Sequence, residues 1–323
     1  MEMSPEYAAV RARLHSNGPG ALDELKRLAK DGDAHAQMAL ADMYISGKGI
    51  GRDRARGFKL ITKAAAQGLG EAQLAHIYFT AKGIGRPANP VLARNMLARL
   101  AEHHRFAAVQ HHLLAHATSR ATLSELEPEI ISDDPRIVIW RGLFSQAEYG
   151  YLRQIMAPKM APAMVVNTAT GKGRRDPIRK SHAASIMPLE EDLLVQDILA
   201  TISQATASAP EQGEPLTILR YRVGDEYRSH YDAYHKGWNG PQRRQTALIW
   251  LNDDFAGGET WFNRLDIKVK GRAGDMLVFD NLDADGNRDD RMEHAGLPVT
   301  AGEKWLASRW ILTEDTARLS QFG

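Results

Sequence analysis

The sequence predicts a two-part α+β chain: an α/α solenoid of short repeats at the N-terminus, then an antiparallel β-barrel or jelly roll with supporting helices. Three observations predict it. At 323 residues the chain is too long for one ordinary domain. Its first 120 or so residues are rich in Ala and repeat themselves with a helical period in the mid-thirties. Beyond Pro135 the pattern changes to short apolar runs punctuated by Gly and by Asp or Asn, which reads as strands.

Composition narrows the function before any motif is read. Hydrophobic residues make up 43% and charged residues 25%, a globular balance. Lys and Arg number 41 against 40 Asp and Glu, which excludes a globally basic nucleic-acid coat and an acidic disordered tail. There is no cysteine, so disulfides, thiolate zinc, iron–sulfur clusters and a cysteine nucleophile are excluded. Any metal must be held by His, Asp, Glu or backbone. No apolar run reaches the roughly 18–20 residues of a membrane span. Met1 to Gly20 has no apolar signal core, and a cytoplasmic protein is expected.

In the first half, Ser4 caps a helix from Pro5 to His15, stopped by Asn17-Gly18. Leu40-Ala41-Asp42-Met43-Tyr44, followed by Gly47-Lys48-Gly49-Ile50-Gly51-Arg52, returns as Leu74-Ala75-His76-Ile77-Tyr78 and Ala81-Lys82-Gly83-Ile84-Gly85-Arg86, an offset of 34. Lys63 to Gly68 echoes Arg27 to Gly32 at an offset of 36. Small Ala positions let paired helices approach, and the glycines permit turns of positive φ. This half resembles Sel-one-like repeats, short relatives of tetratricopeptide repeats, over residues 20–118. Two repeats are complete and a third, Asn89 to Ala117, is degenerate. His103, His104, His111 and His112 do not form a metal site on this reading, because neighbours in a helix point to different faces and no carboxylate partner is evident. The resemblance implies a concave face that holds a peptide or partner.

Domain boundaries follow: repeats over 1–120, an acidic linker over 121–135 and the β domain over 136–317. In the β domain the expected strands are Arg136–Trp140, Leu216–Tyr221, Thr246–Leu251, Thr260–Phe262, Ile267–Val269, Met276–Phe279 and Trp305–Thr313. Ser145 caps a helix through Met156, and a second helix runs from about Leu189 to Ala205.

Chemistry enters with His230-Tyr231-Asp232. Residues i and i+2 of a strand share a face, so an imidazole and a carboxylate converge. His294, 64 residues on, is the candidate third ligand. Two His and one carboxylate form the facial set of non-haem iron(II) oxygenases; zinc remains chemically possible, but no His-Glu-x-x-His accompanies it.

The surrounding motifs choose between them. Tyr221-x-x-Gly224-x-x-Tyr227-x-x-His230-x-Asp232, Arg243, Thr246, Leu251-Asn252, Gly257-Gly258-Glu259-Thr260, Gly274-Asp275, His294-Ala-Gly-x-Pro298-Val299, Gly302-x-Lys304-Trp305 and Trp310 occur in that order. Over residues 128–317 the chain resembles the catalytic domain of prolyl 4-hydroxylases, iron(II)- and 2-oxoglutarate-dependent dioxygenases. The resemblance implies a double-stranded β-helix. It implies that His230, Asp232 and His294 bind Fe(II), and that O2 and 2-oxoglutarate are cosubstrates, with ascorbate as reductant. It further implies that Lys304 pairs with the far carboxylate of 2-oxoglutarate, that Tyr221 and Thr260 donate hydroxyls to it, and that Arg243 and Trp310 line the catalytic pocket on the substrate side. Trp305, on the face opposite Lys304, is read as core; Tyr227 and Tyr231 as packing; Glu259 as a surface turn residue; His235 as rim. Asn281-x-Asp283-x-Asp285-Gly286 starts like a calcium loop, but Met292 stands where the bidentate Glu belongs, so it is read as a loop.

Thr168 to Lys180 occupies the place of the family's mobile lid and carries five basic residues against one acidic. Its basic part, residues 172–180, hints at an anionic partner. The leading function is hydroxylation of a prolyl residue in a protein held by the repeats and this lid, with 2-oxoglutarate decarboxylated to succinate and CO2. The alternatives are a nucleic-acid demethylase of the same superfamily, gripping phosphate with the lid, and a non-enzymatic repeat scaffold.

Overall fold

Helices fill the first block of the chain, and the strands, with two further helices, all fall in the second. A computed structural model describes residues 1–16, 18–117, 123–166, 173–175 and 178–315. It divides into a unit of Met1–Ala115 with Glu191–Gln196, and a unit of His116–Glu190 with Asp197–Gly323.

The first unit contains seven helices among the described residues: Pro5–His15, Ala21–Asp31, Ala34–Ser46, Arg54–Ala66, Gly70–Lys82, Pro90–Ala101 and Arg105–Ala117. Local chemistry sets their ends. Side-chain oxygens of Ser4, Asp33, Asp53 and Asn89 accept from the orphan N–H groups of the first turn. Left-handed Gly32, Gly47 and Gly83 close the C-termini. Tyr7, Val10, Leu25, Leu28, Leu40 and Tyr44 bury their side chains between the first helices. His104 is used locally: its Nδ1 accepts from Ala107 N at 3.2 Å and starts the last helix.

The repeat is 36 residues, not 34, over its helices and loops. Asp53 N donates to Tyr44 O and Asn89 N donates to Thr80 O, so equivalent loop bonds lie 36 apart. The Leu-Ala-x-x-Tyr match is therefore out of step with the backbone by two residues, about half a helical turn. Caps set the register, because a glycine in the left-handed region and an Asx N-cap each fit one place in the turn. Gly85 shows how tight that turn is. Its φ is +73°, and a Cβ there would lie 2.2 Å from Arg54 O and 2.8 Å from Phe58 Cβ. Gly85→Ala is expected to destabilise the repeat unit by about 1–3 kcal/mol from the backbone conformation alone. Thermal unfolding followed by helical circular dichroism checks this; an unchanged midpoint would show that the loop adapts.

The second unit is built on two antiparallel sheets. The larger runs in the order Glu129–Asp133, Arg136–Trp140, Met276–Asp280, Arg243–Trp250, Lys304–Leu312, Leu216–Tyr221, His182–Ile186 and Ala161–Pro162. The smaller runs Ile267–Val269, Thr260–Phe262, His294–Gly296 and Tyr227–His230. Between them lies an apolar core that includes Leu219, Trp250, Phe262, Leu277, Phe279 and Leu306. This is the jelly-roll arrangement expected from the strand pattern. Two expectations change. A third of the predicted linker, Glu129–Asp133, is the edge strand; its acidic residues hid it, and an exposed edge tolerates them. The second helix begins at Leu193 rather than Leu189, because the Asp192 carboxylate caps Val195 N at 2.9 Å. Among the described residues no helix is long and apolar enough to cross a membrane.

Candidate metal centre and its pocket

The smaller sheet and the end of one of its strands assemble the three predicted ligands. His230 closes the strand Tyr227–His230, and Asp232 lies two residues beyond it rather than on the same strand. The side chains converge all the same. His294, distant in sequence, arrives by cross-strand pairing: it is the register partner of His230. One ligand atom from each of the three lies within 4.8 Å of the others. Asp232 Oδ1 is 3.6 Å from His230 Nε2, and Asp232 Oδ2 is 3.6 Å from His294 Nε2.

Backbone carbonyls orient both rings. His230 Nδ1 meets Arg228 O at 2.8 Å, and His294 Nδ1 meets Met292 O at 2.9 Å. A carbonyl can only accept, so Nδ1 carries the hydrogen and Nε2 offers its lone pair to the centre. Burial pushes His294 down to about 4, against the pull of Asp232, so the ring is neutral at neutral pH. Burial alone would raise Asp232, but His294, His230 and the Thr246 hydroxyl hold it well below the usual carboxylate range. The centre therefore presents the Nε2 atoms of two imidazoles and one carboxylate, without thiolate competition. That donor set fits iron(II) with open coordination positions.

A pocket in the same unit connects this centre to Lys304. In the strand Lys304–Leu312, alternate residues Lys304, Leu306, Ser308 and Trp310 line it. Trp305 points away and is buried beneath Arg153 and Arg220, whose guanidinium carbons lie 5.6 and 5.4 Å from its ring. Lys304 and Tyr221 are register partners, and Thr260 faces the same pocket. The Lys304 Nζ donates to Gly258 O at 2.6 Å and forms no ion pair among the described residues. Gly258 makes this approach possible: its φ is +69°, and a Cβ would lie 3.0 Å from Lys304 Cδ. Burial pushes the ammonium down to about 7, opposed by the charge of Glu259 and assisted by Lys270. Glu259, expected at the surface, is half-buried and electrostatically part of the pocket.

Arg243 is held off the pocket lining. It makes a two-pronged ion pair with Glu214, at 2.6 and 2.9 Å, and its guanidinium carbon lies 3.9 Å from the Trp310 ring centre. Trp310 itself is in the lining.

Two lining residues take a place that the sequence reading does not give them: Tyr227 is read there as packing, and Arg179 only as part of the basic lid. Tyr227 stacks on His230 with ring centres 3.5 Å apart, rather than serving only as barrel packing. Arg179 lies over Tyr227 at 4.9 Å and bridges to it across the strands. Tyr231 and His235 stay outside the pocket: the Tyr231 ring lies under Arg288 at 4.0 Å and His235 is exposed. In the calcium-like segment, Asp283 Oδ1 accepts from the backbone of Asp285 and Asn287, while Asn281 is buried elsewhere, so it is a turn. Of the expected lid, residues 168–172, 176 and 177 lie outside the described residues. Gly173–Arg175 pairs with Met164–Val166, and Lys180 N donates to Glu226 O at 2.9 Å.

The chain is similar to known proteins in both of its units. A profile described as "2OG-Fe(II) oxygenase superfamily" matches residues 216–312, and the Sel1 repeat profile matches 34–69 and 70–104. Prolyl 4-hydroxylase 1 of Arabidopsis thaliana is 32% identical over 212 residues, covering 60% of this chain and 75% of that protein. Probable prolyl 4-hydroxylase 3 of the same plant is 31% identical over 205 residues, covering 57% and 71%. The solved 2OG complex of the viral collagen prolyl hydroxylase from Paramecium Bursaria Chlorella virus-1 is similar with a TM-score of 0.45 at 25% identity, covering 55% of this chain and 96% of that one.

Proposed function

The chain belongs to the prolyl 4-hydroxylase family of 2OG-Fe(II) oxygenases, and from that premise we propose that it hydroxylates a prolyl residue of a protein, converting 2-oxoglutarate and O2 to succinate and CO2. One observation carries the reading: a buried ammonium without an ion-pair partner among the described residues shares a pocket with a two-His, one-carboxylate centre. A buried cation without an anion is costly, and a dicarboxylate that reaches both ends of the pocket supplies one.

In this reading His230, Asp232 and His294 hold iron(II), which when bound supplies the oxidising chemistry and takes ascorbate as its reductant. Lys304 binds the far carboxylate of 2-oxoglutarate, and the Tyr221 and Thr260 hydroxyls orient it. Trp310, braced by Arg243 and Glu214, forms the wall where the substrate proline lies. Leu219, Leu248 and Leu306 keep water from the reacting end. On the repeat unit, a groove of about 540 Å³ lined by residues including Met1, Met3, Tyr7, His35, Met38 and Leu69 supports a role in holding the protein substrate. Residues 172–180 engage an acidic stretch of that substrate.

Mass spectrometry of proline-containing proteins incubated with the full chain, iron(II) and 2-oxoglutarate tests this. The expected result is one gained oxygen on proline, with equimolar succinate and turnover that weakens as salt rises. Oxygen on a different residue would replace the prolyl assignment, as would methyl loss from a methylated oligonucleotide offered in a parallel incubation.

A further inference from the structure

A carboxylate ligand can bind a metal through one oxygen or two, and nothing in the Asp side chain itself chooses between them. Here a buried chain of side chains engages one of the two oxygens. Thr246 Oγ1 donates to Asp232 Oδ2 at 2.7 Å, and Asn281 Nδ2 donates to Thr246 Oγ1 at 2.9 Å. The direction of both bonds follows from chemistry. An ionised carboxylate can only accept, so the single hydroxyl hydrogen goes to Asp232. The hydroxyl oxygen is then left to accept, and only the amide nitrogen of Asn281 can donate to it.

The chain is shielded and rigid. Asp232, Thr246 and Asn281 are 7%, 1% and 2% exposed, so no bulk water can replace a lost partner at little cost. Asn281 follows the strand Met276–Asp280, with its N–H on Arg244 O at 2.8 Å and its C=O on Asp289 N at 3.0 Å. Thr246 sits in the adjacent strand, paired with Phe279 on one side and Trp310 on the other.

We propose that Asn281 and Thr246 are positioning residues that occupy Asp232 Oδ2 and commit the carboxylate to bind the metal through Oδ1 alone. The inference rests on the metal-centre reading, and on no assumption about the substrate. One-oxygen ligation by Asp232 leaves a coordination position that two-oxygen ligation would fill.

Cobalt(II) titration of the metal-free protein, read by its d–d absorption, tests the proposal without turnover. Thr246→Val keeps the side-chain shape and removes the donor. It is expected to weaken cobalt(II) binding by about 10–100-fold and to shift the bands. Asn281→Asp replaces the donor by an acceptor, draws the hydroxyl hydrogen away from Asp232, and is expected to do the same. Thr246→Ser keeps the hydroxyl and is expected to retain wild-type affinity and spectrum. Circular dichroism reports folding; should Thr246→Val not fold, the contrast between Asn281→Asp and Thr246→Ser decides. Wild-type affinity and bands in the folded Thr246→Val protein, or equal losses in Ser and Val, would overturn the positioning role. Wild-type protein that binds no cobalt(II) would instead remove the metal centre itself.

Discussion

Asp232→Ala is expected to abolish iron retention and succinate formation together. The substitution removes the only anionic donor among the three side chains whose ligand atoms come together. It leaves two imidazole ligands, which bring no negative charge to compensate that of a divalent cation. It also strips Thr246 of its acceptor in a buried site. The loss should far exceed the roughly 10–100-fold typical of an outer partner. Asp232→Asn, with the same shape and no charge, separates ligation from folding and should also lose the metal. Metal analysis of the purified variants and a succinate assay check both. Normal iron content and turnover in either variant would show that the centre lies elsewhere.

Lys304→Met should leave metal binding intact and remove most of the affinity for 2-oxoglutarate. Methionine keeps the buried stem, so the packing against Tyr221 and Gly258 is largely preserved. The far carboxylate then lies unpaired in an apolar pocket, a loss of about 3–5 kcal/mol, or roughly two to three and a half orders of magnitude in Kd. A pH signature accompanies it. Burial depresses the Lys304 ammonium to about 7, with Glu259 pulling it up and Lys270 pushing it down. The charged form is therefore present below that pH and is lost as pH rises through it. Since the ligand needs the charge, wild-type affinity should weaken above about pH 7 by up to tenfold per unit. In the Met variant that slope should vanish. Calorimetric titration of 2-oxoglutarate into iron-loaded protein at several pH values reads both effects; unchanged affinity would place the cation elsewhere.

Much of the fold was legible because local rules were obeyed. Ser4 and Ser145 cap the helices that the pattern placed after them, and Leu216–Tyr221, Thr260–Phe262 and Ile267–Val269 run as their alternation required. What misled the reading was local likeness without local geometry. The Leu-Ala-x-x-Tyr echo suggested a period of 34, while the caps impose 36. The acidic stretch at Glu129–Asp133 looked like a linker, since an edge strand needs no apolar alternation to pair. Tyr227 looked like packing, because a sequence does not show which ring will lie flat on a neighbouring imidazole.

By itself the sequence determined the chemistry available: no thiolate, a His-x-Asp pair, a distant His, and one Lys ten residues beyond it. These follow from residue identity and order, which need no coordinates. Only the tertiary structure decided the use of that chemistry. The cross-strand register set His294 beside His230, and the alternation of one strand turned Lys304 into the pocket and Trp305 out of it. The close approach of Asn281, Thr246 and Asp232 likewise joins residues 35 and 14 positions apart. Hydrogen bonds and charges act over a few ångströms of space, and only the folded chain brings separations of that length in sequence down to that distance.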